Sequence, residues 1–178
     1  MSIIARARRV TVIAFGYAAL ISCAKTAAPE PTTEQRAAIA DSLRRLIVAA
    51  YDLSAPGDPV QRLMSLYPTT GPVVSASGGR VSVSRDSLEA GIHAFWDNVG
   101  RNMRDPRWTW GEMRVEVLAR DAAVVTTTYR VPHLTPRGVR HEIAGAWTAV
   151  FQRKGGRWVI VQEHLSDLPS NLSSEHDP

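Results

Sequence analysis

Residues 145–166 constrain this chain more than any other stretch. They read as two long strands rich in β-branched and aromatic residues, joined at Lys154-Gly155-Gly156. A joint that short makes the two strands an antiparallel hairpin. On the second strand, Trp158, Ile160, Gln162, His164 and Ser166 share one face by simple alternation, and Val159, Val161 and Glu163 share the other. An apolar face that turns polar along its length predicts a strand that begins in a core and ends in a pocket.

The residues before this hairpin extend the sheet. Residues 107–118 and 122–133 read as two strands, followed by strands at 139–152 and 157–166. Their turns, at 120–121, 135–138 and 154–156, are short, which predicts an antiparallel meander. Further upstream the period is helical. Ile39, Leu43, Leu46, Ile47 and Ala50 form one stripe, predicting a first helix that runs to about Tyr51. Thr33 is its expected N-cap, with Arg36 where a full capping box has Glu or Gln. Asp58 caps, and Pro59 opens, a short second helix with Leu63, Met64 and Tyr67 on its apolar side. A small hairpin is expected over 73–84, turning at Gly78-Gly79. Ser84 or Asp86 caps a third helix whose expected buried stripe is Leu88, Ile92, Phe95 and Val99, with Trp96 alongside. Helices followed by strands make an α+β fold. The economical packing is a cone-shaped, curved antiparallel sheet wrapped around three N-terminal helices, open at one end.

Charge separates the leader from the rest. The net charge is +4, and Arg6, Arg8 and Arg9 supply three of those charges in a first 22 residues that hold no acid. The remainder is close to neutral and has no Lys/Arg run interleaved with aromatics, so nucleic acid is not an expected partner. The basic segment 6–9 precedes an apolar stretch over 10–21, shorter than the ~20 residues that span a bilayer and suited to a signal peptide. It ends in Leu20-Ile21-Ser22-Cys23, which resembles the lipobox of bacterial lipoproteins. That resemblance implies an acylated Cys23 as the mature N-terminus, a membrane anchor and a cell-envelope location. Lys25, rather than an acid, beside it is compatible with an outer membrane, facing the periplasm, in a Gram-negative cell. Cys23 is the only cysteine, so no internal disulfide forms. The expected organisation is a signal peptide (1–22), the lipidated cysteine with an Ala/Pro/Thr-rich tether (23–33), a folded domain (34–169) and a loose tail (170–178).

The order of elements resembles the nuclear transport factor 2-like superfamily, the cystatin-like roll, in its SnoaL-like branch. Two patterns carry the resemblance. Gly78-Gly79-Arg80 leads into Ser84-Arg85-Asp86-Ser87-Leu88 and Ile92; later come Thr148, Val150, Lys154, Gly156, Trp158, Ile160, His164 and Ser166 at fixed spacings. It implies the cone fold and, as in many relatives, a homodimer formed through the outer face of the sheet. The superfamily's catalytic patterns do not transfer. Isomerase-like members place an acid on the first hairpin strand, where this chain has Val73-Val74-Ser75-Ala76. Neither the His–acid pair of dehydratase-like members nor the Asp-Arg-Asp set of epoxide-hydrolase-like members falls at matching spacing.

Several residues are candidates for a site. Gln162 and His164 are expected inside the cone beyond Trp158, where His164 could contact a ligand or exchange a proton. Tyr129, with His133 four residues further on past Val131, offers a polar handle at the pocket mouth, or else an exposed strand end. His93 and Asp97 lie one helical turn apart and read more simply as a solvated pair. His133, His141 and His164 have no metal-ligand spacing. No phosphate loop or nucleophile elbow is present, and neither a metal nor a cofactor is expected. Trp108, Trp110 and Trp147 are expected as cross-strand aromatics or at a dimer face. The leading expectation is a pocket that binds a small, largely apolar ligand through Gln162, His164, Tyr129 and Trp158. A cofactor-independent lyase, isomerase or hydrolase and a homodimeric interaction domain are the alternatives.

Overall fold

A computed structural model describes residues 29–168. The expected signal peptide, Cys23, most of the expected tether, Pro169 and the expected tail at 170–178 lie outside the described residues. Among the described residues no helix is long and apolar enough to cross a membrane.

Helix α1 (Thr33–Ala50) starts one residue earlier than its sequence suggests. Thr32 is the N-cap, and its hydroxyl accepts from the Gln35 amide while the Gln35 side chain accepts from the Thr32 N–H. The capping box is therefore complete, with Gln35 at its third position in place of Arg36. Its buried residues are Ala40, Leu43, Ile47 and Ala50. Helix α2 (Pro59–Met64) opens on Asp58 and Pro59 as expected, with the Asp58 carboxylate accepting from the Val60 N–H at 2.8 Å. Strands β1 (Val74–Ser77) and β2 (Arg80–Ser82) form the small hairpin, and Ser84 caps α3 (Arg85–Asn98).

The expected strand over 107–118 is two pieces, β3 (Thr109–Trp110) and β4 (Arg114–Ala119), both paired with β5 (Ala122–Leu134). Between them Gly111 lies against β5, its N–H donating to the Thr128 carbonyl at 2.9 Å. Strand β6 (Arg140–Lys154) pairs with β5 along thirteen residue pairs and with β7 (Arg157–Asp167) on its other side. The β6–β7 turn needs positive φ at two successive positions, and Gly155 and Gly156 supply +56° and +81°.

The meander is antiparallel, but the sheet as a whole is mixed. β1 runs parallel to β7, pairing Ser75 with Glu163 and Ala76 with His164. The order is β2-β1-β7-β6-β5-β3, with β4 also on β5. The parallel joint places the first hairpin beside the last strand, which the short turns of the meander could not reveal.

One irregularity in β7 decides which side chains face inward. Val150 pairs with Gln162, but the next residue, Phe151, pairs with Ile160, so Val161 is left over in a bulge. A bulge reverses alternation beyond it. Ile160 faces the core, and past the bulge Glu163, Leu165 and Asp167 take the inner face. Gln162, His164 and Ser166 take the outer face. Glu163 is 4% exposed, whereas Gln162 and His164 are exposed.

The core lies between α1, the segment after α2 and the inner faces of β5, β6 and β7, around Leu43, Ile47, Tyr67, Trp147, Phe151 and Ile160. Substituting Phe151 by Ala removes a fully buried ring. Urea unfolding should show a loss of about 3–5 kcal/mol, and Thr32→Ala a loss of about 1 kcal/mol from the missing cap.

Candidate functional site: an aromatic cavity with two carboxylates

Helix α3 carries the expected apolar stripe, yet Leu88 is its only buried residue, and Phe95 remains 43% exposed. The stripe faces a cavity in place of a core. That cavity has a volume of about 710 Å³ and lies between α3, the α1–α2 region and the inner face of the sheet. Leu88, Ile92, Phe95, Trp96 and Val99 form one wall. Tyr51, Leu63, Tyr67, Trp108 and Tyr129 contribute to the rest.

Aromatic rings pack the sheet side. Tyr51 is central, with ring centroids 4.6 Å from Trp108, 5.0 Å from Trp110 and 6.0 Å from Trp147. Trp108 stacks on Tyr129 at 5.3 Å and 24°. The three tryptophans expected at a cross-strand or dimer position thus belong to the interior. Alternation on β3 and β6 sets Trp110 and Trp147 inward with Tyr129, and Trp108, just before β3, stacks on Tyr129.

Two carboxylates of β7 reach the cavity. Glu163 accepts at Oε1 from the Tyr67 hydroxyl (2.8 Å) and the Ser75 hydroxyl (2.9 Å), and at Oε2 from the Trp147 indole N–H (2.9 Å). These three donors come from the segment after α2, from β1 and from β6. Asp167 accepts a short hydrogen bond from the Tyr129 hydroxyl. Gly145, opposite Asp167, makes that bond possible: a Cβ there would lie 2.7 Å from the Tyr129 hydroxyl and 2.3 Å from the Ser166 carbonyl.

The sequence candidates divide accordingly. Tyr129 lines the cavity. Gln162 and His164 do not; the Val161 bulge turns them outward, correcting their expected place inside the cone. Trp158 is half-buried and packs on the core without forming cavity wall. His133 is buried, not an exposed strand end: its Nδ1 lies 2.9 Å from the Val131 carbonyl and its Nε2 lies 3.3 Å from His141 Nδ1. His164 stands on the opposite face of the sheet from that pair. Among the described residues no three His, Cys, Asp or Glu side chains gather to hold a metal. Asp97 pairs with Arg101 at 3.5 Å, not with His93. Alternation assigned Glu163 to the wrong face, and Asp167 lay beyond the alternating run.

The family model for the calcium/calmodulin dependent protein kinase II association domain matches residues 77–169. This chain belongs to that association-domain family. Its match spans the third helix and the whole meander, which supply the α3 wall and the sheet side of the cavity; the α1–α2 wall lies before it. Solved structures agree on the fold. One, from Xanthomonas campestris, is provisionally named as the same association domain; it is 20% identical, covers 80% of this chain and 94% of its own, and superposes with a TM-score of 0.52. A nuclear transport factor 2-like protein of unknown function from Shewanella oneidensis is 21% identical over 71% of this chain and 98% of its own, with a TM-score of 0.55. A provisionally named scytalone dehydratase from Novosphingobium aromaticivorans reaches a TM-score of 0.62 at 13% identity, covering 78% and 89%. No sequence among curated proteins matches this one. The nuclear transport factor 2-like fold read from the sequence is the fold observed. The family model that matches is that of the association domain, where the sequence pattern pointed to the SnoaL-like branch.

Burial raises the proton affinity of all three described tyrosines. Tyr51 and Tyr67 are held well above the ordinary phenol value of 10.0, first by desolvation and then by the Glu163 carboxylate. Tyr129 is raised by desolvation and by its bond to Asp167. A phenol raised in the folded state favours folding fully below the unfolded value, and that contribution is lost as pH climbs above it. The folded protein should therefore resist phenolate formation at pH 10–11, followed by absorbance near 295 nm, and stability should fall steadily above about pH 10. A second test isolates the Glu163 bonds. Tyr67→Phe keeps the ring and removes one donor to Glu163, and should cost about 1–3 kcal/mol in urea unfolding.

Proposed function

We propose that this protein is a lipid-anchored cell-envelope module whose association-type domain holds a small, largely apolar ligand inside its cone. The observation that carries the reading is the cavity of about 710 Å³ under α3, a size that suits a small organic molecule. A helix whose apolar stripe borders open space gains stability when a ligand fills that space. The polar end of the ligand meets Tyr129 and the two β7 carboxylates, not Gln162 and His164. The anchor is the acyl group on Cys23, and the tether sets the domain off the membrane surface.

A second reading concerns assembly, and it is compatible with the first. On the outer face of the sheet, Val124, Thr126 and Thr128 of β5 stand beside Val150, Thr148 and Ala146 of β6. This patch is small-sided and uncharged, which suits self-association better than solvation. Membership of a family named for association supports an oligomer built through this face, the homodimer being its simplest form. Leu165 is not part of the surface, because it lines the cavity. A lyase, isomerase or hydrolase is the alternative class; among the described residues no set of groups in the cavity pairs a base with an activated nucleophile.

Three measurements test these readings. A native mass spectrum of residues 24–178 should show a retained small molecule, and Ile92→Asp, which places a charge on the cavity wall, should release it with the circular dichroism spectrum unchanged. An empty cavity in the unmodified domain, purified gently from its own host, would refute the ligand reading. Thr148→Glu should reduce the assembly to monomers in light scattering without altering ligand retention. Cys23→Ser should move the full chain from the membrane fraction to the soluble fraction and abolish palmitate labelling.

A further inference from the structure

The cavity carries a sign as well as a shape. Glu163 is buried among neutral donors, and an indole N–H can only donate, so Oε2 stands as an acceptor. Among the described residues no Lys, Arg or His forms an ion pair with Glu163 or Asp167; the ion pairs all lie elsewhere. The third carboxylate on the wall, Glu142, is already neutralised by Arg130 at 2.7 Å. The basic groups on the wall are Arg80 and His141, both exposed. His141 is turned to His133 at 3.3 Å. The inner wall therefore presents two acidic groups without a countercharge.

Aromatic faces stand beside them. Tyr51, Trp108 and Tyr129 form a contiguous panel, and Tyr129 joins it directly to Asp167 through its hydroxyl. Glu163 and Asp167 lie four residues apart on one strand face, about 13 Å at ordinary strand rise, with Leu165 between them. Ring faces carry negative potential and attract cations, most strongly where water is excluded. Carboxylates at either end of such a panel reinforce that preference. The stripe of α3 supplies the apolar counterpart on the opposite wall.

Building on the ligand reading above, we infer that the cavity is selective for an amphiphilic organic ammonium: its cationic head seats on the Tyr51–Trp108–Tyr129 panel between Glu163 and Asp167, and its hydrocarbon body lies under α3. The inner wall disfavours an anionic amphiphile of the same length, which would bring a third negative charge against two that are unpaired.

Three probes of equal chain length separate charge from shape: decyltrimethylammonium, decanoate and decanol, each below its aggregation threshold. Binding is read by isothermal calorimetry and by tryptophan fluorescence, at pH 7.5 and low salt, on the folded protein freed of any retained ligand. The ammonium should bind ~10-fold or more tightly than either of the others, and added salt should weaken it selectively. Asp167→Asn should weaken the ammonium ~10-fold and leave decanol unchanged. Because Asp167 sits at the exposed end of β7, this variant should keep the fold, verified by its melting temperature. Glu163→Gln serves as the second variant where it remains folded, with the same expected direction. Decanoate binding as tightly as the ammonium, or an Asp167→Asn effect shared equally by all three probes, would overturn the charge selectivity while leaving the ligand cavity in place. No binding of any probe would overturn both.

Discussion

A buried carboxylate holds the layers of this domain together. Glu163 sits on the last strand and is reached by Tyr67 from the segment after α2, by Ser75 from the first hairpin and by Trp147 from the neighbouring strand. A buried acid without partners would be costly, and the cost enforces the arrangement of the elements that bring donors to it. The parallel pairing of β1 with β7 places Ser75 directly opposite Glu163. The aromatic packing around Tyr51 then fills the space between these contacts. The same group that fastens the helical layer to the sheet is thus also part of the cavity floor.

The cavity follows from the geometry of the sheet. A curved sheet closed by helices at one end has more inner surface than α1 and α2 can cover. α3 spans the remainder without filling it, so its stripe of Leu88, Ile92, Phe95 and Val99 is apolar but under-packed. Interiors are ordinarily packed to the density of organic crystals. A space of about 710 Å³ bordered by six aromatic side chains departs from that norm. Local departures of this kind mark sites where a sequence has been shaped by something other than packing.

Much of the architecture could be read from residue patterns. The helical stripe of α1, the Asp58-Pro59 start of α2, the Ser84 cap of α3 and the glycine turns each have a local cause, and each lies where its local chemistry puts it. The N-cap shifted by one residue because Gln35 completes a box with Thr32 that Arg36 cannot complete with Thr33. The facing of Gln162 and His164 was not legible. Alternation gives parity only, and the extra residue at Val161 inverts it without leaving a glycine or proline to mark the spot. The parallel joint between β1 and β7 was hidden for a related reason, since it depends on partners far apart along the chain. Trp147 and Tyr129 could be placed on strands from sequence, but their bonds to Glu163 and Asp167 required the register.

That distance along the chain has a kinetic meaning. Ser75 and Tyr67 meet Glu163 across separations of 88 and 96 residues. Until β7 is in place, the first hairpin has no strand to lie against, and the Tyr67 hydroxyl has no acceptor. The N-terminal half of the domain therefore waits on its C-terminal strand for these buried polar contacts, and contacts this remote make the closing step slow relative to helix formation. The last strand acts as a latch: it brings, in one piece, the acceptor for Ser75 and Tyr67 and the edge on which the first hairpin lies.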